Sequence, residues 1–262
     1  MITVFIFCLF LGALAGFLAG LFGIGGGLII VPILIWLFEY QGIPDALIMI
    51  MAIATSLATI VVTALASINA HYKLGTINWQ TVYHLAPGIL VGVIAGAFIA
   101  DSLPSQMLRT IFTAYLLYTA TKMALQLKTK ASQLHLSRSL LTISGVVIGL
   151  LSTLLGIGGG TLTVPLLVSA NVAMRNAVGI ASACGFPIAL VATVSYGLLG
   201  MQTTSVPSWS LGYIYLPAFF GIVSTSVVMA PYGARIANHL STDKLKRYFS
   251  VMLLFAALKL ML

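Results

Sequence analysis

Apolar residues run along this chain in ten blocks, separated by short polar or glycine-rich interruptions. The blocks lie at about residues 2–22, 28–38, 46–70, 80–100 and 105–126, then 139–155, 161–170, 176–198, 211–231 and 245–261. Eight of them reach or approach the ~20 residues that carry an α-helix across a hydrocarbon core. The second and seventh hold about eleven residues, or roughly 16 Å of helix, and stop part-way through ~30 Å of hydrocarbon. The pattern predicts an all-α integral membrane protein with about eight full spans plus two short half-helices, split five and five by a polar stretch around Gln126–Arg138.

Each short block follows a glycine-rich break. "GLFGIGGGLIIVP" runs from Gly20 to Pro32 and "TLLGIGGGTLTVP" from Thr153 to Pro165, identical at eight of thirteen positions. Trp79, Tyr83 and Pro87 recur as Trp209, Tyr213 and Pro217 with the same spacing, and "ATSL" at Ala54–Leu57 resembles "ASAC" at Ala181–Cys184. Self-similarity over half the chain marks an internal duplication. The organisation read from it is a first transmembrane repeat at 1–126, a cytoplasmic linker at 127–138 and a second repeat at 139–262.

Composition narrows the class further. Sixty per cent of residues are hydrophobic and only 6% charged, with a mean hydropathy of +1.13. A soluble domain carries about 25% charged residues, so this chain could not cover its own surface in water. The first block lacks a basic leader and a polar flank, and reads as a retained helix rather than a signal peptide. Cys8 and Cys184 lie inside apolar runs and suggest neither a disulfide nor a metal site.

The net charge of +8 is not the footprint of nucleic-acid binding, because its distribution follows a membrane face. Suppose each break is a sharp reversal and the central linker lies inside. Lys73, Lys122, Lys128, Lys130, Arg138, Arg175, Arg235, Lys244, Lys246 and Arg247 then share the inner side, and only Arg109 and Lys259 lie outside. If each break were instead a kink in one continuous span, the second half would flip and six basic residues would fall on each side. The positive-inside bias selects reversal. The halves are therefore expected to be inverted repeats, each containing a broken, re-entrant helix hairpin, as in secondary transporters whose site lies near the midplane.

The breaks carry the candidate chemistry. Clustered glycines let the backbone turn tightly and approach a ligand. A short helix then begins near Gly27 or Leu28, and near Gly160 or Thr161, with unpartnered N–H groups and partial positive charge at its start. Pro32 and Pro165 are placed near the first turns of these arms. Two such N-termini facing each other form an anion site that needs no Lys or Arg. Candidate substrate-binding residues are Gly25, Gly26, Gly27 and Leu28 with Gly158, Gly159, Gly160 and Thr161, supplemented by the hydroxyls of Thr55, Ser56, Thr163 and Ser182. Gly12, Gly16 and Gly20, like Gly88, Gly92 and Gly96, follow small-xxx-small spacing and read as helix packing. His71 and His84 read as interfacial hydrogen-bonding residues, and Trp79 and Trp209 as interface anchors. Glu39, Asp45, Asp101 and Asp243 fall at block ends, so the usual buried carboxylate of a proton pathway has no candidate.

The duplicated "GxGGG…P", followed in the first half by "ATSL", resembles the sulfite exporter TauE/SafE family of membrane permeases over essentially the whole chain. The matching positions are Gly23, Gly25, Gly26, Gly27 and Pro32, with Gly156, Gly158, Gly159, Gly160 and Pro165. The second half departs at Ala181, where the first has Thr55. The resemblance implies transport of small sulfur-containing anions, such as sulfite or organosulfonates, across a prokaryotic cytoplasmic membrane. An anion channel, or a carrier for another small organic anion, is the alternative. No enzymatic activity and no cofactor or metal are expected. The partners implied are a small anionic substrate and the lipid bilayer, and a homodimer is compatible with this reading. A dinucleotide-binding fold is excluded by the apolar helix before the first break, where that fingerprint needs a short strand.

Overall fold

The structure, a computed structural model, describes residues 2–22, 26–125, 137–203, 205–237 and 242–261. These form α1 (Ile2–Phe22), α2 (Gly27–Tyr40), α3 (Asp45–Lys73), α4 (Trp79–Ser102) and α5 (Ser105–Ala124), then α6 (Arg138–Leu155), α7 (Gly160–Ser169), α8 (Met174–Gly200), α9 (Leu216–Ala237) and α10 (Thr242–Met261). A two-residue hairpin pair, β1 (Ser210–Leu211) and β2 (Ile214–Tyr215), precedes α9. The fold is all-α apart from that hairpin. Most of the central linker, 126–136, lies outside the described residues.

Among the described residues, α3, α4, α6 and α8 are the helices both long and apolar enough to cross a membrane, with shorter apolar stretches in α1, α2, α7, α9 and α10. The two short helices differ in length: α2 has 14 residues and α7 has 10. At 1.5 Å per residue they extend ~21 Å and ~15 Å, so the expected equal arms differ by one turn. Pro32 and Pro165 are each the sixth residue of their helix, one turn deeper than the sequence suggested. Each leaves a carbonyl four residues back, on Leu28 and Thr161, without its intrahelical donor.

Helix ends follow local chemistry. The Asn78 side chain caps α4 by accepting from Thr81 N, and Ser137 caps α6 by accepting from Leu140 N, both at 3.2 Å. α6 ends at Gly156, whose φ of 67° is the left-handed conformation that suits glycine. The turn from α2 to α3 and that from α7 to α8 use the same hydrogen bonds. Gly42 N donates to Glu39 O and Ile43 N to Phe38 O; Asn171 N donates to Val168 O and Val172 N to Leu167 O. Gly42 and Asn171 both take positive φ, at 70° and 61°.

α3 is the centre of the bundle. Every residue from Leu47 to Ile60 is buried, so this helix is covered on all sides. It packs on α8, on α9 and on its own neighbour α2. The most extensive pairings are α1 with α9 and α4 with α6, followed by α3 with α8 and α5 with α10. Glycines make the first two possible. A Cβ on Gly12 or Gly16 would run into the α9 backbone at Ile222 or Ser226. On α4, Gly88 and Gly92 face the carbonyls of Thr142 and Val146, while from α6 Gly149 faces that of Ile89. The small-xxx-small stripes are packing seams, as the sequence indicated for these positions. Outward faces carry large apolar side chains at helical spacing, including Val91 and Phe98 on α4, Val194 and Leu198 on α8, and Phe255 on α10. Apolar exposure of this extent fits lipid, not water.

Charged side chains divide between the two ends of the bundle. At one end Arg109 pairs with Glu39 at 3.2 Å and donates to Leu260 O at 2.9 Å, and Lys259 lies 4.2 Å over the Trp36 ring. Asp45 begins the next helix after Glu39, and Asp101 accepts from Tyr213 OH of the hairpin at 2.7 Å. The opposite end holds Lys73, Lys122, Arg138 and Arg175 at or near the ends of α3, α5, α6 and α8. There the Gly179 backbone of α8 abuts Thr76 in the α3–α4 turn.

Two expected correspondences change in three dimensions. Trp79 and Tyr83 open α4, whereas Trp209 takes a φ of 69° and Tyr213 lies in the hairpin, so the shared spacing supports helix in one half and hairpin in the other. The apolar block at 211–231 therefore becomes helical only from Leu216.

Candidate functional site

The two breaks meet. Gly26, with φ 78°, and Gly159, with φ 75°, immediately precede α2 and α7, and neither helix start receives a side-chain cap. Positive φ is the reason these positions need glycine. The N–H groups of Ile29 and Ile30 turn back to Gly26 O at 3.0 Å, and those of Leu162 and Thr163 to Gly159 O at 3.1 and 2.8 Å. The first N–H groups of each helix, on Gly27 and Leu28 and on Gly160 and Thr161, have no acceptor four residues back within their own helix. The start of α2 abuts the loop leading into α7: a Cβ on Gly27 would strike the Gly156 carbonyl oxygen and lie 2.9 Å from Ile157 Cα. Gly25 and Gly23 lie outside the described residues.

Neighbouring helices hold this junction. Ser56 of α3 donates to Gly156 O at 2.8 Å, and Tyr196 of α8 donates to Thr153 O at 3.0 Å, both buried. Thr55 accepts from Tyr215 N of the hairpin at 3.0 Å. Thr161 accepts from Tyr115 OH of α5 at 2.7 Å. The walls are apolar: a Cβ on Gly158 would meet Ile60, and one on Gly159 would meet Ile188. Gly185 of α8 approaches the Gly158 carbonyl.

Ser182 behaves differently from Ser56. It accepts from Ser67 at 3.1 Å and makes no hydrogen bond to the described residues of either break. Counted from the matching turns at Gly42 and Asn171, the residue corresponding to Ser56 is Gly185, and the "ATSL"/"ASAC" alignment is out of register. Each of these two residues touches a break carbonyl, by a hydroxyl in one case and by close backbone approach in the other.

One residue beside the second break escaped the sequence reading. Ser152, in the last turn of α6, is fully buried, as is Thr163. Neither hydroxyl finds a partner among the described residues. Ser152 Oγ lies 3.4 Å from where a Cβ on Gly159 would sit. The available signal was "LLSTLLGIGGG", which puts hydroxyls before the second break where "GFLAGLFGIGGG" has none. Lys and Arg residues lie at or near helix ends or in connecting segments, so donors at the junction are backbone N–H and hydroxyl groups.

Uncapped helix starts that follow glycine-rich breaks inside an apolar bundle are compatible with the broken helices of membrane transporters. The comparisons agree. Residues 8–260 match the family model described as sulfite exporter TauE/SafE. A "probable membrane transporter protein" of Haemophilus influenzae is 42% identical over the full length of both chains. Relatives with the same description occur in Methanocaldococcus jannaschii, at 29% identity over 92% of this chain and 90% of theirs, and in Xylella fastidiosa, at 28% over 94% and 91%. No solved structure matches. The chain belongs to the sulfite exporter TauE/SafE family and is a multi-pass membrane protein.

Proposed function

We propose that this protein is a secondary transporter of small sulfur-containing anions, such as sulfite or organosulfonates, bound near the bilayer midplane between the two breaks. The observation that carries the proposal is the contact of the α2 start at Gly27 with the loop at Gly156–Ile157 that feeds α7. Each helix N-terminus favours an anion by about 0.3–1 kcal/mol, up to ~2 when partly buried. Two together give modest affinity, which suits a carrier that must release its cargo. The family match and the position of the described Lys and Arg residues at or near helix ends support this reading. In proteoliposomes, radiolabelled sulfite uptake should saturate and be accelerated by unlabelled sulfite inside. Flux that rises linearly with concentration and shows no such trans-stimulation would favour the channel alternative.

The scaffold in this proposal is a pair of inverted repeats, with the Lys73/Arg175 end in the cytoplasm. Support comes from the reciprocal pairing of α1 with α9 and α6 with α4, from the repeated turns, and from the sorting of charges between the ends. Cys8 and Cys184 are buried, so introduced thiols can report the topology. Tyr40→Cys, at the exposed end of α2, should react with an impermeant reagent in intact cells. Asn176→Cys, exposed in the first turn of α8, should react only after permeabilisation. Labelling of both from outside would reject the inverted topology, because the two repeated turns would then share a face.

A further inference from the structure

Resting on that reading, we propose that the second break holds the charged end of the substrate, with Ser152 and Thr163 as hydroxyl donors, and that the site is built for a singly charged oxyanion.

The first observation is how these two hydroxyls differ from their neighbours. A Ser or Thr inside a helix ordinarily donates to the carbonyl one turn back. Thr153 does so onto Gly149 O at 2.8 Å, Thr59 onto Ser56 O at 2.6 Å and Thr193 onto Ala189 O at 2.6 Å. Ser152 and Thr163 are fully buried and make no such bond. A buried hydroxyl left unpaired in a native fold calls for a reason. Both lie at the start of α7: Ser152 Oγ lies beside Gly159, and Thr163 is the fourth residue of the helix, where side chains tilt toward the N-terminus.

The second observation is asymmetry. In the shared motif, Thr161 and Thr163 of the second half align with Leu28 and Ile30 of the first, and Ser152 with Ala19. The first arm therefore offers backbone N–H groups and apolar surface, while the second adds hydroxyls. An anion with an apolar substituent fits this division, its oxygens at α7 and its substituent toward α2.

Charge sets the valence. Each helix N-terminus is equivalent to roughly +0.5 elementary charge, so two supply about +1. Among the described residues Lys and Arg sit at or near helix ends, so a second negative charge would be left uncompensated in an apolar bundle. Methanesulfonate and sulfate test this directly, because they have nearly the same tetrahedral shape but carry one and two charges.

Binding of sodium methanesulfonate, sulfite and sulfate to the purified full-length protein, at matched ionic strength, is read by calorimetry and by the shift in melting temperature. Wild type should bind methanesulfonate at least about tenfold more tightly than sulfate. Ser152→Ala and Thr163→Val should each weaken methanesulfonate binding by about tenfold or more, the scale of one hydrogen bond to a charged group. Their ligand-free melting temperatures should equal or exceed that of wild type, because an unpaired buried hydroxyl has been removed. Ser169→Ala, which removes a hydroxyl bonded to Leu166 O within α7, should change neither affinity. Unchanged affinity in the Ser152/Thr163 double variant, or tighter binding of sulfate than methanesulfonate, overturns this inference while leaving the transport reading intact. A wild type that binds none of the three anions overturns both.

Discussion

Gly92→Leu is expected to leave no correctly assembled protein in the membrane. Gly92 faces the carbonyl of Val146 across the α4–α6 seam, and a Cβ there would overlap that oxygen and sit 2.9 Å from Leu150 N. The obstruction is backbone, so no rotamer change relieves it. Gly88 meets Thr142 in the same way, and Gly149 on the other helix meets Ile89, so the contact extends over two turns from both sides. In lipid, helices associate through close packing rather than through a hydrophobic drive, and separating the backbones forfeits that packing along the whole seam. Overpacking by a methylene costs typically 1–3 kcal/mol in a well-packed core, and leucine adds four carbons against total stabilities of about 5–15 kcal/mol. The measurement is the yield of monodisperse protein after detergent extraction. Gly197→Ala is the control, since a Cβ there finds only Ile214 Cδ1 at an ordinary 3.9 Å. Wild-type yield and melting temperature for Gly92→Leu would mean that the seam is looser than its geometry implies.

Helix positions were legible from hydropathy because a bilayer imposes one length on every span, and apolar blocks of that length have few alternatives. The breaks were legible because a cluster of glycines inside an apolar run has few other uses. What hydropathy could not resolve were features that arise from contacts between segments. The hairpin before α9 is one. Its Tyr215 N–H reaches Thr55 in the centre of the bundle, Tyr213 reaches Asp101, and the backbone of Gly212 packs on Gly197. Those partners lie outside the "W…Y…P" spacing, so the same spacing reads identically in two halves that fold differently. The register of α3 against α8 is another. Pairing Ala181 with Thr55 placed Ser182 opposite Ser56, whereas the turn hydrogen bonds at Gly42 and Asn171 place Gly185 there. Counting from the breaks would pair Ser56 with Ala189 instead, because one extra turn separates break from turn in the first half. Thr163 was accessible as a hydroxyl near a break. Ser152 was not, because its importance lies in having no partner, and that is a property of the folded neighbourhood.

The same substitution class should behave differently at the break. On the proposed function, Gly159→Val is expected to abolish sulfite transport, by about 100-fold or more, while the protein still inserts and folds. Two effects act at this position. Gly159 has a φ of 75°, a conformation that costs a β-branched residue on the order of 1–3 kcal/mol, so the melting temperature should fall without loss of the fold. The new side chain would also project toward Ile188 Cδ1, Ser152 Oγ and Ile148 Cγ2. These are side-chain ends that can move, unlike the backbone carbonyl that faces Gly92, and the bundle can therefore absorb the insertion. The anion cannot, because valine would cover the first turn of α7 and the Ser152 hydroxyl beside it. Gly159→Ala should fall between wild type and Gly159→Val in both stability and rate, since it keeps the strain of positive φ but adds less volume. Gly26→Val, at a φ of 78° in the first break, should also stop transport. The assay is initial uptake of radiolabelled sulfite into proteoliposomes, with helical content by circular dichroism and elution volume as evidence of folding. Folded Gly159→Val protein that transports at the wild-type rate would reduce the paired glycine motif to a packing element, and the anion site would have to lie elsewhere in the bundle.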